Sequence, residues 1–200
     1  MKTLRSHREK AIDSDEQILA DLQQGQTRRF RILIDRYKDR ALTLAMKILR
    51  DRREAEEAVQ DAFVKVYRNV EHFRRESSFQ TWFFRILYNE CFSRLRRNRS
   101  VPPMVATEED EDPRLTDTDA MTDARILSAD LQRIISAEFE KLAAHYRTAL
   151  SLFYLQELKY EEIASVMDVP VGTVKSYIFR GKQVLRKRLG TYEHLEVGAA

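Results

Sequence analysis

With a single cysteine in 200 residues the chain has no internal disulfide. Cys91 stands among apolar and aromatic neighbours, where a buried thiol fits better than a reactive one, and the expected compartment is a reducing cytoplasm. No apolar run approaches the roughly 18 residues of a membrane span, and no N-terminal stretch has the basic, apolar and small-residue order of a signal peptide. No membrane insertion is expected, and the sequon at Asn98, Arg99 and Ser100 has no meaning without secretion. His7, His72, His145 and His194 are scattered, without cysteine partners at zinc spacing. The acidic run from Glu108 to Asp112 lacks the turn glycine of a calcium loop. No nucleophile–base pair or phosphate loop is visible, so the expectation is a protein that is not an enzyme and needs no metal or cofactor.

Glycine and proline are scarce, at five and four residues, while 34% of the chain is charged and 43% apolar. That balance suits amphipathic helices and predicts a soluble, all-α protein. The length allows one ordinary domain or two small ones. A net charge of +3 says little about partners, but its distribution says more. Pro102, Pro103 and Pro113 fall within residues 101–123, with Glu108, Glu109, Asp110, Glu111, Asp112, Asp117, Asp119 and Asp123 and only Arg114 to oppose them. Such a stretch buries too little apolar surface to offset the entropy of ordering, so it predicts an acidic linker between helical domains at 1–100 and 124–200. Basic residues flank it: Arg94, Arg96, Arg97 and Arg99 upstream, and Arg180, Lys182, Arg186, Lys187 and Arg188 near the far end.

Upstream of the linker the helical period runs from Asp15 to about Gly25. It resumes from Thr27 to Arg50, where Phe30, Leu33, Ile34, Tyr37, Ala41, Leu44, Ala45 and Ile48 recur three and four apart. A third helix is expected from Asp51 to about Val70, with Ala55, Ala58, Val59, Ala62, Phe63, Val66 and Tyr67 inside. Its outer face carries Glu56, Glu57, Gln60, Asp61, Val64 and Lys65. A loop from Glu71 to Phe79 precedes a fourth helix from about Gln80 to Asn98. After the linker come helical stretches at Ala124 to Leu142 and Tyr146 to Leu158. A short helix from Tyr160 to Met167, a turn at Asp168, Val169 and Pro170, and a basic helix opening near Val171 complete a helix-turn-helix.

On that last helix Val174, Ile178, Leu185 and Leu189 form the inner stripe. Gly172, Lys175, Ser176, Phe179, Arg180 and Gln183 are expected to point outward, as a reader of the DNA major groove requires. Lys175 and Arg180 reach guanine edges or phosphates, Ser176 bonds to either, and Phe179 meets a thymine methyl or the sugar-phosphate chain. Gly172 leaves room for close approach of the backbone.

Together these segments resemble the sigma-70 family of bacterial RNA polymerase specificity subunits, in particular its small extracytoplasmic-function (ECF) group. The stretch from Tyr160 through Thr173 to Ser176 resembles the fourth region, which reads the −35 promoter element. Glu57 to Tyr67 resembles region 2.2, and Phe73 to Asn89 resembles regions 2.3 and 2.4. The resemblance implies that Glu57, Gln60, Asp61 and Val64 dock on core RNA polymerase. It also implies that the loop and helix from Phe73 capture a base flipped from the −10 element. Phe73 and Trp82 would then supply walls, Ser77, Ser78 and Asn89 polar contacts, and Arg85, Arg94, Arg96 and Arg97 a grip on the strand. Phe83 and Ile86 are expected in the core. Phe84 and Tyr88 make this helix more aromatic than family members commonly are, and the proline that often precedes region 4.1 is replaced by Leu142, Ala143, Ala144 and His145. The acidic run is either a solvated, self-repelling spacer or, on the resemblance, an imitation of a polyanion in the polymerase channel, and an anti-sigma factor is the implied inhibitor. The function implied is promoter-specific transcription initiation. The rival is a free-standing helix-turn-helix regulator that binds duplex DNA without polymerase.

Overall fold

The computed structural model describes residues 14–98 and 129–190, and the expected linker (101–123) and the tail from Thr191 to Ala200 lie outside them. The described residues form helices without a strand, in two groups of four: α1 (Asp15–Gln23), α2 (Phe30–Leu49), α3 (Arg52–Asn69) and α4 (Phe79–Asn98), then α5 (Ala129–Glu140), α6 (Ala144–Tyr154), α7 (Tyr160–Met167) and α8 (Val171–Leu189).

Local chemistry sets the ends. Ser14 caps α1 by accepting from the Gln17 amide at 3.2 Å, and Asp51 caps α3 through the Glu54 amide at 2.9 Å. Between α2 and α3 the chain reverses at Arg50, whose φ of 61° is left-handed and whose amide closes the last turn on the Met46 carbonyl. Short Ala55, Ala58 and Ala62 let α3 lie close on α2, and Leu33, Ala41, Leu44 and Ile48 fill the seam. Aromatic rings close the first core: Phe63 meets Phe83 at 4.8 Å and Tyr37 meets Phe79 at 5.2 Å between centroids. Tyr37 also donates its hydroxyl to Asp15, which pairs with Arg36 and so ties α1 to α2. Tyr67 departs from the expected inner stripe. It is 46% exposed because it lies at the rim of the α2–α3 seam, leaning on Phe30 at 5.4 Å.

In the second group α8 is the centre, packed on α5, α6 and α7. Gly181 makes the α6 contact possible: a Cβ there would stand 2.8 Å from Leu150 Cδ1 and 3.3 Å from Tyr146 Cβ. Between α7 and α8, Asp168 takes a left-handed φ of 57° and Pro170 precedes the first turn of α8.

The α5–α6 boundary, which lacks a proline, is organised by Arg147. This residue is 3% exposed and donates to the carbonyls of Glu140 (3.2 Å) and Leu142 (2.6 Å), and to those of Lys47 and Ile48 at the end of α2. The negative ends of two helices thus share one buried cation.

The two groups lie against each other, α2 on α6 and α4 on α7. Arg40 Nε donates to Gln156 Oε1 at 2.9 Å, and its Nη2 to the Gln156 carbonyl at 3.0 Å. Gln80 Nε2 donates to the same carbonyl at 2.6 Å. Lys47 pairs with Glu140 at 2.6 Å, and Thr81 Oγ1 donates to Glu162 Oε1 at 2.9 Å.

Two outcomes are expected. Arg147→Met strands buried carbonyls at two helix ends and should lower stability by about 3 kcal/mol in urea unfolding, a charged hydrogen bond contributing about 1.5–3 kcal/mol; a loss below about 1 kcal/mol would refute the bridging role. Burial pushes the Cys91 thiol from its ordinary 9.0 up to about 12. The unfolded chain therefore releases this proton at lower pH than the folded chain, and the thiol's contribution to stability is lost as pH rises from about 9 toward 12. Thiol titration at pH 8 should find Cys91 unreactive until denaturant is added.

Candidate nucleic-acid interface and docking face

Three surfaces hold the residues singled out in the sequence. On α8, Gly172, Lys175 and Phe179 are exposed, Phe179 by 41%, and Thr173 and Arg180 are half-buried. Nothing stands within 4 Å of a Cβ built on Gly172, so the backbone there is open to an approaching molecule. The Lys175 ammonium lies 5.7 Å from the Tyr160 ring centre, its stem laid toward α7. Ser176 is a correction. It is 7% exposed, because α8 touches three helices and its buried face widens to take in Ser176, Tyr177 and Gly181 beside Val174 and Ile178.

The second surface is the start of α4 and the loop before it. Gln23, which sequence reasoning missed, donates to the carbonyls of Val70 (3.0 Å) and Phe73 (3.3 Å) and pins the loop to α1. Phe73 is buried and meets Trp82 in a tilted contact at 4.8 Å between centroids, so Phe73 backs the tryptophan while half-buried Trp82 meets the solvent. Ser77 is half-buried and Ser78 exposed. Ser78 Oγ accepts from the Thr81 amide at 3.1 Å and caps α4. Arg85 and Asn89 are exposed along the same helix, with Arg85 reaching to 3.6 Å from Asp168. Phe83 sits in the core as expected, and so do Phe84 and Tyr88. Arg94 is a second correction. Its side chain is 6% exposed and paired with Glu54, Asp61 and Glu90, so it is engaged within the protein rather than presented to a strand. Burial alone pulls its pKa down, but hydrogen bonds to Asp61 and Glu90 outweigh that and raise it. Arg96 and Arg97 remain exposed.

On the third surface, along α3, Glu57, Gln60, Asp61 and Val64 all face solvent. Val64 is 45% exposed and Tyr67 continues the apolar strip one turn on. Arg53 pairs with Glu57 at 3.1 Å, and Arg94 reaches across from α4 to Asp61, so one carboxylate of this face is fixed by a buried guanidinium. The sequence separation of 33 residues hides that pair from any local pattern. Among the described residues no group of histidine, cysteine and acidic side chains is placed to hold a metal ion, and no helix is long and apolar enough to cross a membrane.

Comparison with known proteins gives the family. The family model for sigma-70 region 2 matches residues 33–101 and that for sigma-70 region 4 matches 132–185. The first match covers α2 to α4, helices that a free-standing regulator would have no reason to share. The chain is 34% identical to the ECF RNA polymerase sigma-E factor of Haemophilus influenzae, over 88% of this chain and 95% of that one. It is 35% identical to the RNA polymerase sigma-H factor of Pseudomonas aeruginosa, over 88% and 94%. The solved sigma factor RpoE of Bartonella quintana, in complex with the anti-sigma factor NepR, aligns with a TM-score of 0.61 at 27% identity, covering 80% of this chain and 96% of that one. Two region models in order, and identity across nearly the whole length, lead to one conclusion: the chain belongs to the sigma-70 family of RNA polymerase sigma factors, in its extracytoplasmic-function group.

Proposed function

We propose that this sigma factor works in the cytoplasm as a two-point promoter reader, with no catalytic activity of its own. Core RNA polymerase performs the chemistry, and an anti-sigma factor of the kind seen with the Bartonella relative restrains it. The observation that carries the reading is the placement of three separate exposed surfaces on one small chain: α8 residues at a helix-turn-helix, an aromatic and polar edge at the start of α4, and an acidic-apolar strip on α3.

Each surface suits a different partner. Gly172, Thr173, Lys175, Phe179 and Arg180 enter the major groove of the −35 element, where a good bidentate base contact contributes about 1–3 kcal/mol of discrimination. Ser176, being buried, supports that helix from within. At the −10 element Trp82, backed by Phe73, offers a stacking surface for an extruded base, while Ser77, Ser78 and Asn89 supply hydrogen bonds and Arg85 the charge that holds the backbone. Glu57, Gln60 and Asp61 surround Val64 on α3 as a polar rim around an apolar contact. That arrangement fits docking on a basic, helical part of core polymerase.

Run-off transcription with purified core enzyme tests this reading. The protein alone should bind promoter duplex weakly and give a defined start site only with core. Asp61→Asn and Val64→Glu should weaken core binding while leaving the −35 duplex interaction of the free chain unchanged. Trp82→Ala should reduce permanganate reactivity of the −10 region in the holoenzyme complex, and Lys175→Ala should weaken −35 binding roughly tenfold. Full promoter binding and selectivity without polymerase would overturn the assignment.

A further inference from the structure

The acidic face of α3 is held from behind. Glu54, Asp61 and Lys65 are spaced seven and four apart, so they share one stripe of the helix with short, buried Ala58. Across the seam α4 sets Glu90 and Arg94 one turn apart, and the two stripes mesh by charge: Arg94 pairs with Glu54, Asp61 and Glu90, and Glu90 also pairs with Lys65. Each nitrogen of the guanidinium has its own carboxylate. Nε faces Glu54 at 3.6 Å, Nη1 donates to Glu90 at 3.1 Å, and Nη2 donates to Asp61 Oδ2. A lysine could not do this, because its ammonium is a single point of charge where the guanidinium is a rigid fork.

The cluster runs from the interior to the surface. Glu90 and Arg94 are buried, whereas the Asp61 side chain is 54% exposed. Stability alone is a weak reason for such an arrangement, since a buried ion cluster gives little over apolar side chains of similar volume. What it gives is orientation. Arg94 takes Oδ2 of Asp61, and the exposure of the rest of that side chain leaves Oδ1 for a partner. An aspartate without such a hold moves among rotamers, and a protein that binds it must arrest that motion at an entropic cost. Here the cost is met when the chain folds. Glu57, on the same face, pairs with the exposed Arg53, a contact that fixes little.

We infer that Arg94 is a positioning residue for polymerase binding: from the interior it fixes the Asp61 carboxylate in the orientation that a basic side chain of core RNA polymerase takes up. The inference rests on the assignment of α3 to docking. Losing the guanidinium has two opposing effects. The docking face becomes more negative, which speeds encounter with a basic partner, while Asp61 is released, which shortens the life of the complex. A charge-neutral change separates them. Arg94→Met with Glu90→Met removes one cation and one anion and fills their place with apolar volume.

The experiment measures association and dissociation of the full chain on immobilised core enzyme, with urea unfolding in parallel. The double variant should bind about fivefold more weakly, the change lying in the dissociation rate, with its urea midpoint near that of the wild type. Glu90→Gln, which keeps a hydrogen bond to Arg94, should bind as the wild type does. In an Asp61→Ala background the same double substitution should change nothing, because the carboxylate it frees is gone. A fivefold loss that persists in that background would overturn the positioning role, and so would wild-type affinity of the double variant. Arg94→Lys keeps the charge without the fork and should also bind more weakly. It carries the comparison if the double variant unfolds early, and wild-type binding by Arg94→Lys would overturn the inference as well. Asp61→Ala that binds core as tightly as the wild type would instead remove the docking assignment, and the inference with it.

Discussion

A single guanidinium organises the molecule. Arg147 sits where the carbonyl ends of α2 and α5 converge, and its hydrogen bonds go to Glu140 and Leu142 on one side and to Lys47 and Ile48 on the other. Helix C-termini are partially negative and rich in unpaired acceptors, and arginine, planar and always charged, satisfies several at once. Without it the α5–α6 turn would have no cap, since Ala143 offers no side-chain hydrogen bond. The seat of the C-terminal domain on α2 follows from the same bonds. Lys47 adds an ion pair to Glu140 beside it, so the join between domains is made by cations at helix ends as well as by apolar burial.

The fold was legible where its causes are local. Recurrence at three and four residues located α1 to α4 within about three residues at either end, because the apolar stripe that defines each helix is itself local. The turn at Asp168 to Pro170 was equally plain. What stayed hidden was long-range. Arg40 and Gln156 are 116 residues apart, and no period connects them. Arg94 carried the composition of a strand-binding residue, yet three carboxylates from α3 and α4 claim it. Ser176 fell on the outward side of an ideal helix, but contact with three neighbours made the buried face broader than one stripe. Gly181 gave no turn signal at all, and its role appears only when Leu150 is brought against it.

The candidate sites divide along similar lines. Residue type and helical spacing were enough to bring Glu57, Gln60, Asp61 and Val64 onto one solvent face and to leave Gly172, Lys175 and Phe179 accessible. The edge at the start of α4 is less a matter of spacing. Gln23 from α1 holds its loop, Ser78 caps the helix, and Phe73 turns inward to back Trp82. A reader of single strands depends on such preorganisation, because the energy spent unstacking a base is recovered only if the receiving surface is already in place.

The aromatic packing of α4 bears finally on what the first core can tolerate. Phe84 is buried against Tyr37 and Phe83 with Arg40 over its ring, and Tyr88 is buried beside Phe92, so truncating either bares apolar surface on one helix beside a half-exposed tryptophan. Contiguous apolar surface of that kind invites aggregation and proteolytic attack. The rings of this helix therefore shield one another, and loss of one leaves its neighbours as a surface on which other chains can gather.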